Sequence, residues 1–161
     1  GILVGIAISF VLLIRKSSKP HIAIVGRLPG TEHFRNVERH DVETYPHVLA
    51  VRIDESLYFV NVRYIETFLL NKIADSERLE HILLICTATN FIDASGLEML
   101  ETLSDNLQAV GVTLHLAEVK GPVMDSLKDT AFLHNMTGEL FLSADLGMKK
   151  LANMRSGEMK N

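Results

Sequence analysis

The run Ile82-Leu83-Leu84-Ile85-Cys86, broken by Asp93-Ala94-Ser95-Gly96 and resumed from Leu97, decides how this chain folds. Consecutive apolar residues without alternation are the pattern of a strand covered on both faces. From Leu97 the apolar positions Leu97, Leu100, Leu103, Leu107 and Val110 recur at three- and four-residue steps, one stripe of an amphipathic helix. Asp93 and Ser95 stand where that helix begins, and there unpaired backbone N–H groups need acceptors. A serine at such a place is a cap, worth on the order of 1 kcal/mol, or a switch. A phosphate on Ser95 would put about two negative charges at the positive end of a helix dipole, beside the Asp93 carboxylate. Residue types alone leave both readings open.

Working outward, His21 to Leu28 reads as a first strand closed by Pro29-Gly30, and residues 31–47, charged and weakly periodic, read as a loop. Val48 to Ile53 alternates as a strand with Leu49, Val51 and Ile53 inward and Val48, Ala50 and Arg52 on the other face. Asp54-Glu55-Ser56 reads as a turn with solvated acids, and Leu57 to Val60 as a short strand completing a hairpin. Asn61 is a helix cap by residue type, followed by the stripe Val62, Ile65, Phe68, Leu69 and Ile73. After the Asp93 helix come a strand at Val112 to Ala117 with His115 on its outer, exposed face, and a helix opened by Gly121-Pro122. Val123, Met124, Leu127 and Ala131 would be that helix's buried face. A strand at Leu140 to Leu142 and a last helix from about Ala144 to Met154, carrying Leu146, Leu151 and Met154 inward, complete the pattern. The expected fold is α/β, a mixed β-sheet flanked by about four helices. Residues 17–150 form the domain, and 151–161 a polar tail.

The first fourteen residues contain no charge and one polar side chain, Ser9, and Arg15 and Lys16 follow at once. A bilayer-spanning helix needs about twenty apolar residues, and neither a basic leader nor a cleavage pattern marks a signal peptide. Residues 1–16 therefore read as the C-terminal end of a transmembrane helix with a basic cytoplasmic exit. The net charge of −4 divides unevenly: residues 15–40 carry +4 through Arg15, Lys16, Lys19, Arg27, Arg35 and Arg39 against Glu32 and Glu38, leaving −8 for the rest. Arg15, Lys16 and Lys19 suit anionic lipid headgroups, at about 1 kcal/mol for each positive side chain near such a surface.

Enzyme chemistry finds little support. Ser95 lies in Asp-Ala-Ser-Gly-Leu rather than a G-x-S-x-G elbow, and no glycine-rich phosphate loop occurs. His33, His40 and His47 recur at seven-residue steps beside Asp41, a spacing that matches no zinc pattern. Neither a metal nor a cofactor is expected. The single cysteine, Cys86, rules out an internal disulfide and reads as buried apolar filler. Phe91, Asp93, Gly96 and Glu98 around Ser95 combine an aromatic with polar residues at a helix start, the composition of a protein contact.

Three segments carry a resemblance. Asp93-Ala94-Ser95-Gly96-Leu97, Asp54-Glu55-Ser56-Leu57-Tyr58-Phe59-Val60-Asn61 and His115-Leu116-Ala117-Glu118-Val119-Lys120-Gly121-Pro122-Val123 resemble the STAS domain, shared by sulfate transporters and anti-sigma-factor antagonists. The second and third, with Gly26-Arg27-Leu28-Pro29-Gly30-Thr31 and Phe34-Arg35-Asn36-Val37, are more similar to the bacterial sulfate permease (SulP) branch. The resemblance implies a non-enzymatic regulatory domain on the cytoplasmic side of the inner membrane, carried by a multi-helix anion transporter. It also makes Ser95 the counterpart of the serine that a kinase phosphorylates in the antagonists. Expected partners are the transmembrane part of the same transporter, a regulatory protein at the Asp93–Gly96 turn, lipid headgroups and a second copy of the chain, but no nucleic acid. The competing expectation is a soluble phospho-switch of the antagonist type.

Overall fold

The computed structural model describes residues 1–154. Its elements are α1 (Ile2–Ser18), β1 (Ile22–Arg27), β2 (Phe34–Asn36), β3 (Val48–Ile53), α2 (Val62–Ala74), β4 (His81–Ile85), α3 (Ala94–Ala109), β5 (Thr113–Ala117), α4 (Gly121–Leu127), α5 (Ala131–Asn135), β6 (Leu140–Phe141) and α6 (Ala144–Asn153). The strands form one mixed sheet in the order β2-β1-β3-β4-β5-β6. β1 is antiparallel to both its neighbours, and β3 through β6 run parallel.

β4 is buried at every position, as its unbroken apolar run requires. Its even residues Ile82 and Leu84 face a core shared with α2, α3, α4 and α5 through Ile65, Leu69, Leu100, Leu103, Leu107, Val123, Leu127 and Phe132. Its odd residues Leu83 and Ile85 face a smaller core where, among the described residues, α6 is the one covering helix, through Ala144, Met148 and Leu151. The crossover helices thus crowd one face, as parallel connections of one hand require, and a single helix closes the other.

That second layer corrects several expectations. His115 is not on exposed surface: β5 turns it toward α6, where it is buried. Val48 and Ala50 are core residues for the same reason. On α6, Met148 and Leu151 face inward, while Leu146 points to solvent. The helix runs through Leu151 to Asn153, past the boundary drawn at residue 150, and residues 155–161 lie outside the described residues. Residues 31–47 include the strand β2, held by pairing with β1. Leu57 to Val60 form no strand; Leu57 makes a single parallel bridge to Ile92. The Gly121 helix ends at Leu127, so Ala131 starts a separate short helix and is exposed, with Phe132 buried instead. Val110 lies just past α3 and is exposed.

α1 stands apart from both cores. None of its residues is buried, and Ile2, Leu3, Phe10, Leu12 and Leu13 are all exposed. Its 17 residues extend about 26 Å at 1.5 Å per residue. Among the described residues, no helix is long and apolar enough to cross a membrane.

Candidate functional site: the Asp93–Gly96 turn

The turn lies where the chain leaves the C-terminal end of β4 and enters α3, a position at which open α/β sheets commonly present function. Asp93 is the N-cap: its Oδ1 accepts the Gly96 N–H at 2.8 Å. Its Oδ2 accepts the Phe59 N–H at 3.0 Å, from the loop after β3. One carboxylate therefore satisfies an orphan helix donor and ties two loops together. The cap half of the sequence reading belongs to Asp93. Ser95 lies half-buried in the first turn of α3, and among the described residues its hydroxyl has no hydrogen-bond partner.

Further bonds fasten the same two loops. Leu57 N donates to Phe91 O at 3.2 Å, and Asp93 N donates to Leu57 O at 3.1 Å. Ser56, only 2% exposed, accepts with its Oγ from the N–H groups of Asn90 and Phe91. Asn61 precedes α2 yet does not cap it with its side chain. It is fully buried and bridges its own loop, donating from Nδ2 to Ser56 O and accepting at Oδ1 from Tyr58 N. Gly96 is required by closeness: a Cβ there would lie 2.5 Å from the Leu57 carbonyl oxygen. Ser56 and Asn61 are the supports that the hairpin reading of residues 54–61 hid.

Once Leu57 to Val60 is a loop rather than a strand, its aromatics come to the surface. Phe59 is 71% exposed and Phe91 52% exposed, and both rings touch Tyr58, at centroid distances of 6.0 and 5.6 Å. Glu98 is exposed one turn further along α3. Beside the turn, Lys120 Nζ donates to Asn90 Oδ1 at 2.6 Å, and the Thr87 hydroxyl donates to Glu118 at 2.9 Å. Glu118 has φ 58°, in the left-handed region that non-glycine residues rarely adopt. The predicted residues Phe91, Asp93, Ser95, Gly96 and Glu98 thus share one rim, joined by Phe59, which sequence reasoning missed. Arg15, Lys16 and Lys19 lie elsewhere, exposed at the end of α1 and just beyond it.

The geometry offers little to a reaction. The histidines with hydrogen-bond partners reach Asp54, the Leu151 carbonyl, the Met154 backbone, the Glu139 N–H or one another, not Ser95. Burial pushes the Cys86 thiol up to about 12, so it is not a thiolate at neutral pH. Among the described residues no group of three or more His, Cys, Asp or Glu side chains could hold a metal ion. The acids after β3 are not simply solvated. Burial alone would raise Asp54, but hydrogen bonds from Arg52 and His21 outweigh it and hold the carboxyl below its usual range.

A mixed sheet with four helices on one face, and an aspartate-capped turn where β4 gives way to α3, define an α/β domain with the fold of the anti-sigma-factor antagonists. The STAS domain family matches residues 39–146, and the chain belongs to that family. A probable sulfate transporter 4.2 of Arabidopsis thaliana is 31% identical over 152 residues, spanning 88% of this chain and 22% of the relative. Among solved structures, the murine Solute Carrier 26 family member A9 anion transporter, in the inward-facing state, aligns with 94% of this chain and 25% of its own length. The TM-score is 0.82 and the identity 19%. A putative anti-sigma factor antagonist from Thermotoga maritima aligns with 67% of this chain and 90% of its own, with TM-score 0.56 and 15% identity. The chain spans about a fifth to a quarter of the transporters it matches.

Proposed function

We propose that this chain is the cytoplasmic regulatory domain of a membrane anion transporter of the sulfate type. In this reading the Asp93–Gly96 turn receives a regulatory protein, and α1 with its basic collar meets the membrane. The observation that carries the proposal is the 31% identity to a sulfate transporter in which the matched region is only 22% of the whole. The exposed apolar surface of α1 supports it, because among the described residues nothing buries that helix and lipid or neighbouring helices would. Transport itself would belong to membrane helices outside this chain. The domain's part is to set assembly, surface level or gating. A phosphate at Ser95 would extend the negative charge of Asp93 and Glu98 along the rim, so it would act on a partner more than on folding.

The test uses the full-length protein expressed in cells. Labelled sulfate uptake and surface level are measured for Ser95→Ala, Ser95→Glu and a deletion of residues 21–154. The deletion should change uptake or surface level several-fold, and Ser95→Glu should shift uptake relative to Ser95→Ala. Unchanged uptake and surface level in all three would remove the regulatory role. The antagonist-type neighbours favour a second reading, a soluble phospho-switch. Removing residues 1–18 separates the two: the switch would keep its location and function, and the transporter domain would lose membrane association.

A further inference from the structure

Under α6 lies a chain of buried imidazoles that the proposed function does not use. His47 precedes β3, His81 opens β4 and His115 sits in β5, and all three are buried on the face that α6 covers. Their rings follow one another, with centroids 6.5 Å apart from His47 to His81 and 5.2 Å from His81 to His115, and Phe141 of β6 closes the row at 5.8 Å. His47 Nε2 is 3.1 Å from the Leu151 carbonyl oxygen and so donates to the C-terminal end of α6.

The hydrogen bonds of the other two fix where their protons sit. His115 Nδ1 accepts the backbone N–H of Glu139 at 3.0 Å, so this nitrogen is bare. The proton of neutral His115 is therefore on Nε2, which lies 3.1 Å from His81 Nδ1 and donates to it. His81 then carries its own proton on Nε2. Each ring has one vacant nitrogen, and each vacant nitrogen already receives an N–H. A further proton would set donor against donor, either at Glu139 or between the two rings.

We propose that the His81–His115 pair is a proton-sensing latch that holds β6 and α6 on the sheet and releases them on acidification. Glu139 immediately precedes β6, and its carbonyl oxygen accepts the Leu116 N–H that begins the β5–β6 pairing. Losing the bond to His115 therefore loosens the first rung of β6, and α6 follows directly in the chain. The close approach is built for this bond: a Cβ at Gly138 would lie 1.8 Å from the Leu114 carbonyl oxygen and 3.2 Å from His115 Nδ1. Release would uncover Val48, Ala50, Leu83, Ile85 and Ala117.

The groups facing the pair come from every neighbouring element. Glu139 and Lys150, paired with each other at 2.6 Å, face His115 from the β6 and α6 side. Glu80 and His47 face His81. The two glutamates favour a proton on the rings, whereas Lys150 and His47 oppose it. Burial outweighs the glutamates, pushing His81 down and His115 down to about 4. Once α6 lifts, the rings meet water and return toward their ordinary value, so each step into acid favours the open form.

The test is amide hydrogen exchange by NMR on the whole chain in detergent micelles, at pH values from 7.5 to 4.5 and corrected for intrinsic rates. Protection of residues 139–151 should fall more than tenfold between pH 7.5 and pH 5, while Leu84 and Leu103 keep theirs. His115→Gln, which can still accept from Glu139 and donate to His81 but does not titrate, should flatten that fall. Constant protection across the range, or loss at residues 139–151 and Leu103 with one midpoint, would overturn the proposal. So would a His115→Gln response identical to the parent's. Should that variant not fold, ring titration in the parent decides. His115 must take up its proton as α6 protection is lost, and uptake without that loss sinks the latch.

Discussion

The two faces of the sheet are built on different terms. On one, four helices and the sheet meet through aliphatic and aromatic side chains, with Leu103, Leu107, Ile65 and Leu69 wholly buried. On the other, one ten-residue helix covers small side chains such as Ala23, Ala50 and Ala117, together with three histidines and an ion cluster centred on the buried Asp145. In that cluster Asp145 is 5% exposed and meets Arg27 at 3.6 Å and Lys149 in the next turn of α6, while Arg27 also pairs with Glu43. Aliphatic burial does not depend on pH, whereas buried imidazoles and carboxylates do. The thick face sets whether the domain folds, and the thin face sets what state it is in.

The sharpest way to break that contrast is to cut one leucine from each face. Leu103→Ala should cost about 3–4 kcal/mol and lower the midpoint of the whole unfolding transition in urea. Leu151→Ala, about 2–3 kcal/mol, should appear first as local opening of α6 in hydrogen exchange. Equal global destabilisation by both would erase the difference between the faces.

Acidification comes next in size. His115 is pushed from 6.5 down to about 4, so the unfolded chain takes up a proton more readily than the folded one below pH 6.5. The stability this group contributes is complete above pH 6.5 and is lost as pH falls toward 4. That loss is about 3 kcal/mol at 1.36 kcal/mol per unit. Thermal melts at pH 7.5, 5.5 and 4.5 should show a falling Tm that His115→Gln flattens. Asp54, whose carboxyl is held below its ordinary 3.8, contributes stability that is complete above that value and is lost only as pH falls below it, so the two effects separate along the titration.

Asp93→Ala removes acceptors from both Gly96 and Phe59 and should cost about 1–2 kcal/mol. The expected structural readout is faster exchange at both amides. At the small end, Lys128→Ala breaks an exposed pair with Asp125 at 3.8 Å and should change chemical stability by less than about 0.5 kcal/mol.

What could be read in the sequence tracks the same division. The strand at residues 82–86 and the helix after Asp93 were legible because an unbroken apolar run and a helical stripe are each enforced by the thick core. The α2 stripe was legible for the same reason: Ile65 and Leu69 are buried, with Val62, Phe68 and Ile73 packed against them. The thin face was not. Thr113, His115 and Ala117 alternate with leucines, a pattern that reads as one wet face, and nothing local to β5 announces a helix arriving from residues 144–153. β2 is three residues long and exists because β1 pairs with it, a tertiary cause that periodicity does not record. Leu57 to Val60 carries strand-like residues that instead seat a loop, so Phe59 looked structural and proved to be surface. At the turn, Asp93 and Ser95 were found by residue type. Which of them caps depends on where α3 begins, and the second bond of the Asp93 carboxylate, to Phe59 34 positions away, is a tertiary contact no local pattern records.

Only Lys19, Pro20 and His21 separate α1 from β1, a leash of at most about 10 Å. It does not run to the rim of the sheet. β1 is bonded on both sides, to β2 and to β3, and His21 is itself pinned to Asp54 at 2.7 Å. A pull or twist arriving through α1 is therefore loaded first onto the ladder of Ile22–Ile24 with β3 and then onto that of Val25–Arg27 with β2, and both resist it in shear. Motion at the N-terminal helix would turn the domain as one body rather than peel it open.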